Sequence, residues 1–248
     1  STPIKSSAAS DVYKRQVMGS GNQVDSVTVV QGKYYGNIHK KHISSYGEFG
    51  AANIRDNITS TFREALIQLN NPNKSNNMLL VGKVQSGKTS NLELFTALAF
   101  DNGFNLVIIY GGYDSTLLSQ TTNRFKKTFD IPNDTDYSDD TPVVFSSDDS
   151  AQLLTVDDEI IEDLLDADKP IFLISMKRPA AMNKVNDLLA RIDKSNLKAF
   201  IIDDEGDQAS LNTKKNKVLD ASATYASIVS MKDHLSDPLY LSVTATPQ

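Results

Sequence analysis

The residues best suited to chemistry form one short segment, Gly82–Thr89, which reads GKVQSGKT. It matches the pattern G-x-x-x-x-G-K-[ST], in which glycines let successive backbone N–H groups surround a chain of phosphates. We expect Lys88 to contact the outer phosphates and the hydroxyl of Thr89 to bind Mg²⁺. The other residues predicted to line the phosphates are Gly82, Gln85, Ser86 and Gly87. The segment therefore predicts a binding site for a nucleoside triphosphate.

An apolar run and a helical pattern flank this segment. Met78–Val81 reads as a short buried strand, and Asn91–Phe100 reads as a helix that begins near Lys88. The positive end of the helix dipole would then lie beside the phosphates. The alternative is an ordinary glycine-containing turn with a surface lysine, but the flanking strand and helix favour phosphate binding.

A second candidate segment, Phe200–Asp207, ends another apolar run and reads FIIDDEGD. Paired carboxylates after a strand can hold Mg²⁺ and activate the water that attacks a phosphate. We assign Asp204 to the metal and Glu205 to the general base, although Asp203 could take the place of Asp204. Asp207 would couple this segment to its neighbours. The alternative is an acidic cap at a strand–loop junction.

A third segment, Ser242–Pro247, follows the last predicted strand and reads SVTATP. Its small hydroxyl residues, Thr244 and Thr246, would lie beside the acidic pair and hydrogen-bond to Asp207 or to the outermost phosphate. The alternative is a strand that simply ends at a turn proline.

Strands and helices alternate along the chain. Further buried strands are predicted at 105–110, 170–175, 198–203 and 239–243, and helices at 52–69, 115–129, 156–165, 179–192 and 221–235. Residues 130–150 are rich in Asp, Ser and Thr, and are predicted to form a loop. Uninterrupted apolar strands separated by helices predict an α/β fold, a parallel sheet with helices on both faces.

Composition divides the chain into three parts. Residues 1–25 are expected to be disordered, and Ser6–Gln16 resembles a translated sequencing adaptor, so no function is assigned before about Val24. Residues 26–75 are expected to form a helical lead-in, and residues 76–248 the nucleotide-binding lobe.

The composition excludes several other classes of protein. The chain of 248 residues has no cysteine, which rules out disulfides and thiolate metal sites, and its three histidines are too scattered for a metal cluster. No apolar run is long enough to span a membrane, and no signal peptide is recognisable, so we expect no membrane partner and a cytoplasmic location.

The charge is unevenly distributed. Residues 130–170 contain fourteen acidic residues and one lysine, whereas the remaining residues include 24 basic and 17 acidic ones. A local basic face is therefore possible despite the net charge of −6. Its candidate members are Lys33, Lys40, Lys41, Arg124, Lys126, Lys127, Lys177, Arg178, Lys214 and Lys215.

The three segments, in this order, resemble the first RecA-like lobe of superfamily 2 helicases and translocases. DEGD stands where that family has its DEAD or DExD box, and TATP where it has Ser-Ala-Thr-Pro. A closer likeness is to the helicase-like ATPase region of the Z-one domain family, proposed endonucleases linked to restriction and defence. The likeness spans Ile54–Gln248 and includes VGKVQSGKTSN at 81–91, LSQTTNR at 118–124 and DDEGDQASLNT at 203–213. Gly206 stands where the family has alanine.

The resemblance implies a RecA-like P-loop ATPase that takes ATP and Mg²⁺ and acts on nucleic acid, with DNA favoured. Gln120 and Arg124 would contact the nucleic-acid backbone, or would alternatively lie on a solvated helix end. The family's second lobe and C-terminal domain have no counterpart here, so we expect a fragment of a longer protein. An endonuclease in that protein, or restriction and defence partners, would follow from the same resemblance.

Two other functions remain open. A P-loop switch or signalling ATPase would bind protein partners and no nucleic acid, and a continuous basic track would count against it. A nucleotide-binding scaffold would bind ATP without hydrolysing it.

Overall fold

The elements of the fold are seen in a computed structural model that describes residues 27–71, 79–80, 88–133, 140–146, 156–204, 214–231 and 233–243. The helices are α1 (Lys33–Leu69), α2 (Lys88–Asp101), α3 (Ser115–Thr128), α4 (Asp158–Asp166), α5 (Pro179–Arg191) and α6 (Lys214–Met231). The strands are β1 (Leu79–Leu80), β2 (Leu106–Tyr110), β3 (Val143–Ser146), β4 (Ile171–Ser175), β5 (Ala199–Asp204) and β6 (Leu239–Val243).

One parallel sheet joins the six strands in the order β1-β6-β5-β2-β4-β3. The central strands are fully buried apolar runs, as expected for a parallel sheet that is covered on both faces. The predicted α/β class with a parallel sheet is confirmed.

Helices cover both faces of this sheet. On one face, α1, α2 and α3 pack against alternate strand residues, and the ring of Phe95 lies 5.1 Å from that of Phe200. On the other face, α4, α5 and α6 pack against the intervening residues, among them Ile201. Because side chains alternate along a strand, neighbouring residues of β5 face different helices. We call these the α2 face and the α5 face.

The N-terminal helix α1 is fixed by a residue distant in sequence. Its N-cap, Gly32, has no side chain to accept from the first turn. The carboxylate of Asp101, at the end of α2, instead accepts hydrogen bonds from the backbone N–H groups of Gly32, Tyr34 and Tyr35 at 2.9, 3.2 and 2.8 Å. The lead-in helix is thereby joined to the helix that follows the phosphate-binding motif.

The sequence-based boundaries need three corrections. Residues 130–150 are not one loop, because Val143–Ser146 forms the edge strand β3. The first helix begins at Lys33 rather than at residue 52, and the last begins at Lys214 rather than at residue 221. The segment 1–25 lies outside the described residues. In the part of the chain that the structure describes, no helix is long and apolar enough to cross a membrane.

Candidate nucleotide-binding site

The three candidate segments follow three neighbouring strands. The phosphate-binding motif follows β1, the acidic segment includes the end of β5, and TATP follows β6, which lies between the other two strands. In parallel sheets the carboxyl ends of adjacent strands meet at one edge, where ligands commonly bind. Residues far apart in sequence are thus connected to one edge of the sheet.

Part of each candidate segment lies outside the described residues. The predicted site residues in this position are Gly82, Gln85, Ser86, Gly87, Glu205, Asp207, Thr244 and Thr246. The predicted site residues of these segments that the structure describes are Lys88, which is the first residue of α2, Thr89 in the first turn, and Asp204, which ends β5. These three residues lie at the start of α2 and at the end of β5.

The start of α2 is held against α1. The hydroxyl oxygens of Tyr46 and Ser90 lie 2.6 Å apart, directly after the half-buried Thr89. Further along α2, Glu93 lies 3.3 Å from Nε2 of His42 and accepts a hydrogen bond from Thr128 at 3.0 Å. Polar contacts therefore fix the first turns of α2 between α1 and α3.

The two adjacent aspartates of β5 lie on different faces of the sheet. Phe200 and Ile202 pack on the α2 face, and Asp204 continues that alternation. Asp203 continues the alternation of Ile201 on the α5 face. Asp204 therefore shares its face with α2 and Thr89, whereas Asp203 does not.

The carboxylate of Asp203 is buried and paired. Nζ of Lys177 lies 2.7 Å from its Oδ1, and the hydroxyl of Tyr240 donates to its Oδ2 at 2.6 Å. The side chains of Lys177 and Asp203 are only 8% and 5% exposed. Burial of the Tyr110 hydroxyl, and next the nearby charge of Asp203, raise the pKa of Tyr110.

This ion pair corrects the proposed basic face. Lys177 was expected on the surface with Arg178, but it is buried, while Arg178 is exposed. The backbone N–H of Lys177 donates to the carbonyl of Gly112 at 2.7 Å, which directs the chain after β4 across the end of β2 towards β5. A lysine two residues beyond an apolar strand is close enough to the neighbouring strand ends to pair with a carboxylate there. The spacing of charges along the sequence does not show this pairing.

The predicted nucleic-acid contacts lie on α3. Gln120 is exposed, and Arg124 is half-buried one helical turn later, so the two share a helix face. The guanidinium carbon of Arg124 lies 5.3 Å from the centre of the Phe125 ring, and its Nε has no hydrogen-bond partner among the described residues. At the end of α3, Nζ of Lys41 forms an ion pair with Asp130 at 2.7 Å and donates to the backbone carbonyls of Thr128 and Lys127 at 2.7 and 3.3 Å. Lys41 of α1 therefore binds the C-terminal end of α3, and its charge is paired with Asp130.

The oxygen donors that the structure describes suit a hard cation. Mg²⁺ prefers oxygen ligands and is usually held by one or two protein groups together with phosphates and water. The carboxylate of Asp204, on the α2 face, and the hydroxyl of Thr89, in the first turn of α2, are groups of this kind. The described residues include no cluster of three or more His, Asp or Glu that could hold a metal without a nucleotide.

Comparisons with known proteins found no matching family model, no matching curated protein and no matching solved structure. The function of the chain is therefore inferred from its own residues. Lys177 and Tyr240 both contact Asp203 at the end of β5, and the sequence did not indicate either contact.

Proposed function

We propose that this chain is the ATP-binding and ATP-hydrolysing lobe of a helicase- or translocase-like protein, a P-loop NTPase with a RecA-like fold. The observation that carries this proposal is the order of the strands β1-β6-β5. The GKVQSGKT motif, the acidic segment and the TATP segment follow these three strands in the chain, and ligands of parallel sheets commonly bind beyond the carboxyl ends of the strands.

The proposed roles follow from the chemistry of each residue. Backbone N–H groups of Gly82–Gly87 bind the phosphates, and the ammonium of Lys88 neutralises the outer ones. Asp204 and Thr89 hold Mg²⁺, which offsets the negative charge of the phosphates when it is bound. Glu205 orients and deprotonates the attacking water. Asp207, Thr244 and Thr246 link the acidic segment to the β6 end.

Replacing the motif lysine tests nucleotide binding. Charge-assisted hydrogen bonds contribute about 1.5–3 kcal/mol, so Lys88→Ala is expected to weaken the binding of a fluorescent ATP analogue by about 10- to 100-fold. The measurement is a fluorescence titration of the 248-residue chain with excess Mg²⁺. Lys40→Ala, at an exposed position of α1, is the matched control. Equal affinities for the wild type and Lys88→Ala would contradict the proposal.

The same preparation separates an enzyme from a scaffold. Phosphate release by the wild type that disappears in Glu205→Gln, with nucleotide binding retained, is the result expected for hydrolysis. Binding without any phosphate release would favour the scaffold.

The nucleic-acid part of the proposal has a rival. The basic residues Arg124, Lys126 and Lys127 in the last turns of α3 support a basic surface on this helix. The burial of Lys177 against Asp203 removes one residue from the track that would continue this surface, and this observation favours a P-loop switch that binds protein partners. An endonuclease or restriction and defence partners in a longer protein are supported by sequence resemblance alone.

A further inference from the structure

We infer that Lys177 is a positioning residue of the nucleotide site: it holds Asp203 on the α5 face, so that Asp204 is the aspartate presented to the metal-bound nucleotide. The inference deepens the proposed function and rests on it. It assigns different tasks to two neighbouring aspartates that the sequence alone leaves interchangeable.

Both oxygens of Asp203 have a close contact, an ion pair at Oδ1 and a hydrogen bond at Oδ2; the ion pair at Oδ1 does not have hydrogen-bond geometry. Oδ1 lies 2.7 Å from Nζ of Lys177, and Oδ2 accepts the hydroxyl of Tyr240 at 2.6 Å. A carboxylate held from both sides, with a side chain 5% exposed, has little freedom to turn towards a ligand on the other face. Asp204, one residue later, faces α2 because of the strand alternation.

The backbone fixes the position of Lys177 itself. Its N–H donates to the carbonyl of Gly112 at 2.7 Å, and the N–H of Gly111 donates to the carbonyl of Ser175 at 3.1 Å. These bonds connect the segment after β4 to the end of β2, while the side chain reaches β5 and, through Asp203, Tyr240 of β6. The contact therefore joins the carboxyl ends of four adjacent strands, β4, β2, β5 and β6.

A buried ion pair is weak support for stability, because the cost of removing both charges from water often equals their attraction. Its location at the strand ends instead suggests that it fixes the position of Asp203. Without Lys177, the Asp203 carboxylate would be an unpaired buried charge, and it would be driven to turn towards water or towards a cation at the sheet edge. Turning the end of β5 in this way would displace Asp204.

The test measures how strongly Mg²⁺ improves the binding of the fluorescent ATP analogue. The variants are Lys177→Met, which frees Asp203, and the double variant Lys177→Met/Asp203→Asn, which removes both charges. Groups in direct contact with a metal ligand typically contribute 10- to 100-fold to metal affinity, and Lys177 acts on Asp204 only through its neighbour Asp203, so we take the lower end of that range. We expect Lys177→Met to lose about tenfold of the Mg²⁺ effect and the double variant to recover it, with binding in the absence of Mg²⁺ unchanged. Thermal unfolding of each variant reports its stability separately.

Tyr240→Phe covers the case in which Lys177→Met does not fold, because it removes one hydroxyl and no charge. It should reduce the Mg²⁺ effect about threefold, because one hydrogen bond of about 0.7 kcal/mol is lost. An unchanged Mg²⁺ effect in folded Lys177→Met, or in Tyr240→Phe, would overturn the inference. So would a double variant as impaired as Lys177→Met.

The failure of the proposed function gives a different pattern. In that case the wild type and Lys88→Ala bind the analogue equally, or neither binds it, and the inference falls with the function. If instead Lys88→Ala loses binding while the Lys177 and Tyr240 variants keep the Mg²⁺ effect, the nucleotide site stands and only the role of Lys177 is rejected.

Discussion

A single carboxylate, that of Asp101, caps a helix that begins 68 residues before it in the chain. It is 7% exposed and accepts three backbone hydrogen bonds at the start of α1. Burial raises the pKa of Asp101 to about 6, although those hydrogen bonds and the charge of Lys33 act in the opposite direction. The folded chain therefore binds a proton at this position more tightly than the unfolded chain does.

This raised pKa predicts how Asp101 affects stability as the pH changes. A carboxyl whose pKa is higher in the folded state stabilises the fold most at low pH, and the contribution is lost as the pH rises through about 6. Relative to Asp101→Asn, the wild type should lose about 2–3 kcal/mol of unfolding free energy between about pH 4 and pH 7. Urea unfolding of both proteins across this range measures the difference. A difference that grows with pH would contradict the assignment.

At the scale of the element, α1 is interrupted at one residue. Gly47 has φ 74° and ψ 172°, a conformation that L side chains rarely adopt, and it directly follows Tyr46, whose hydroxyl contacts Ser90 on α2. The interruption therefore lies beside the first turn of the helix that follows the phosphate-binding motif.

Two glycine substitutions in α1 distinguish the non-helical backbone at Gly47 from the helical backbone at Gly36. Gly47→Ala should destabilise the fold by about 1–3 kcal/mol, because alanine is strained at a positive φ with this ψ. Gly36→Ala, where no atom lies within 4 Å of an added Cβ, should stabilise it by about 0.5–1 kcal/mol. Urea unfolding of the two variants provides the measurement. A stabilising effect at both positions would show that Gly47 is helical in solution.

The long first helix also shows where sequence patterns stop being informative. Residues 52–69 were predicted because apolar residues recur at helical spacing, whereas the preceding half contains Gly36, Gly47 and Gly50, and its cap comes from Asp101. The strand Val143–Ser146 was missed because it is short and lies in an Asp- and Ser-rich region. It pairs with β4, and no local sequence pattern indicates this pairing.

At the scale of the whole molecule, apolar runs were enough to predict the parallel sheet. The five predicted strands all occur, and the three that precede or begin the candidate segments are neighbours in the sheet. The pairing of Asp203 was not predictable from the sequence, because Lys177 and Tyr240 are distant along the chain and reach Asp203 only through the fold. The spacing of residues along the chain does not show which distant charges pair in the fold.

The distribution of charge over the molecule leads to the last prediction, which decides between a nucleic-acid motor and a protein switch. Residues 130–170 are strongly acidic, so a DNA surface would use basic groups elsewhere, and the last turns of α3 carry Arg124, Lys126 and Lys127. A phosphate contact by Arg124 neutralises charge and releases counterions.

Arg124→Ala is therefore expected to weaken DNA binding about three- to tenfold and to lower the slope of log affinity against log salt by about 1. Fluorescence anisotropy with a labelled duplex and a labelled single strand, at several salt concentrations, measures both quantities. Arg63→Ala, at an exposed position of α1, is the matched control. Wild-type binding that does not depend on Arg124 would remove this residue from the interface. An absence of wild-type DNA binding even at low salt would favour the switch, because electrostatic attraction is strongest under that condition.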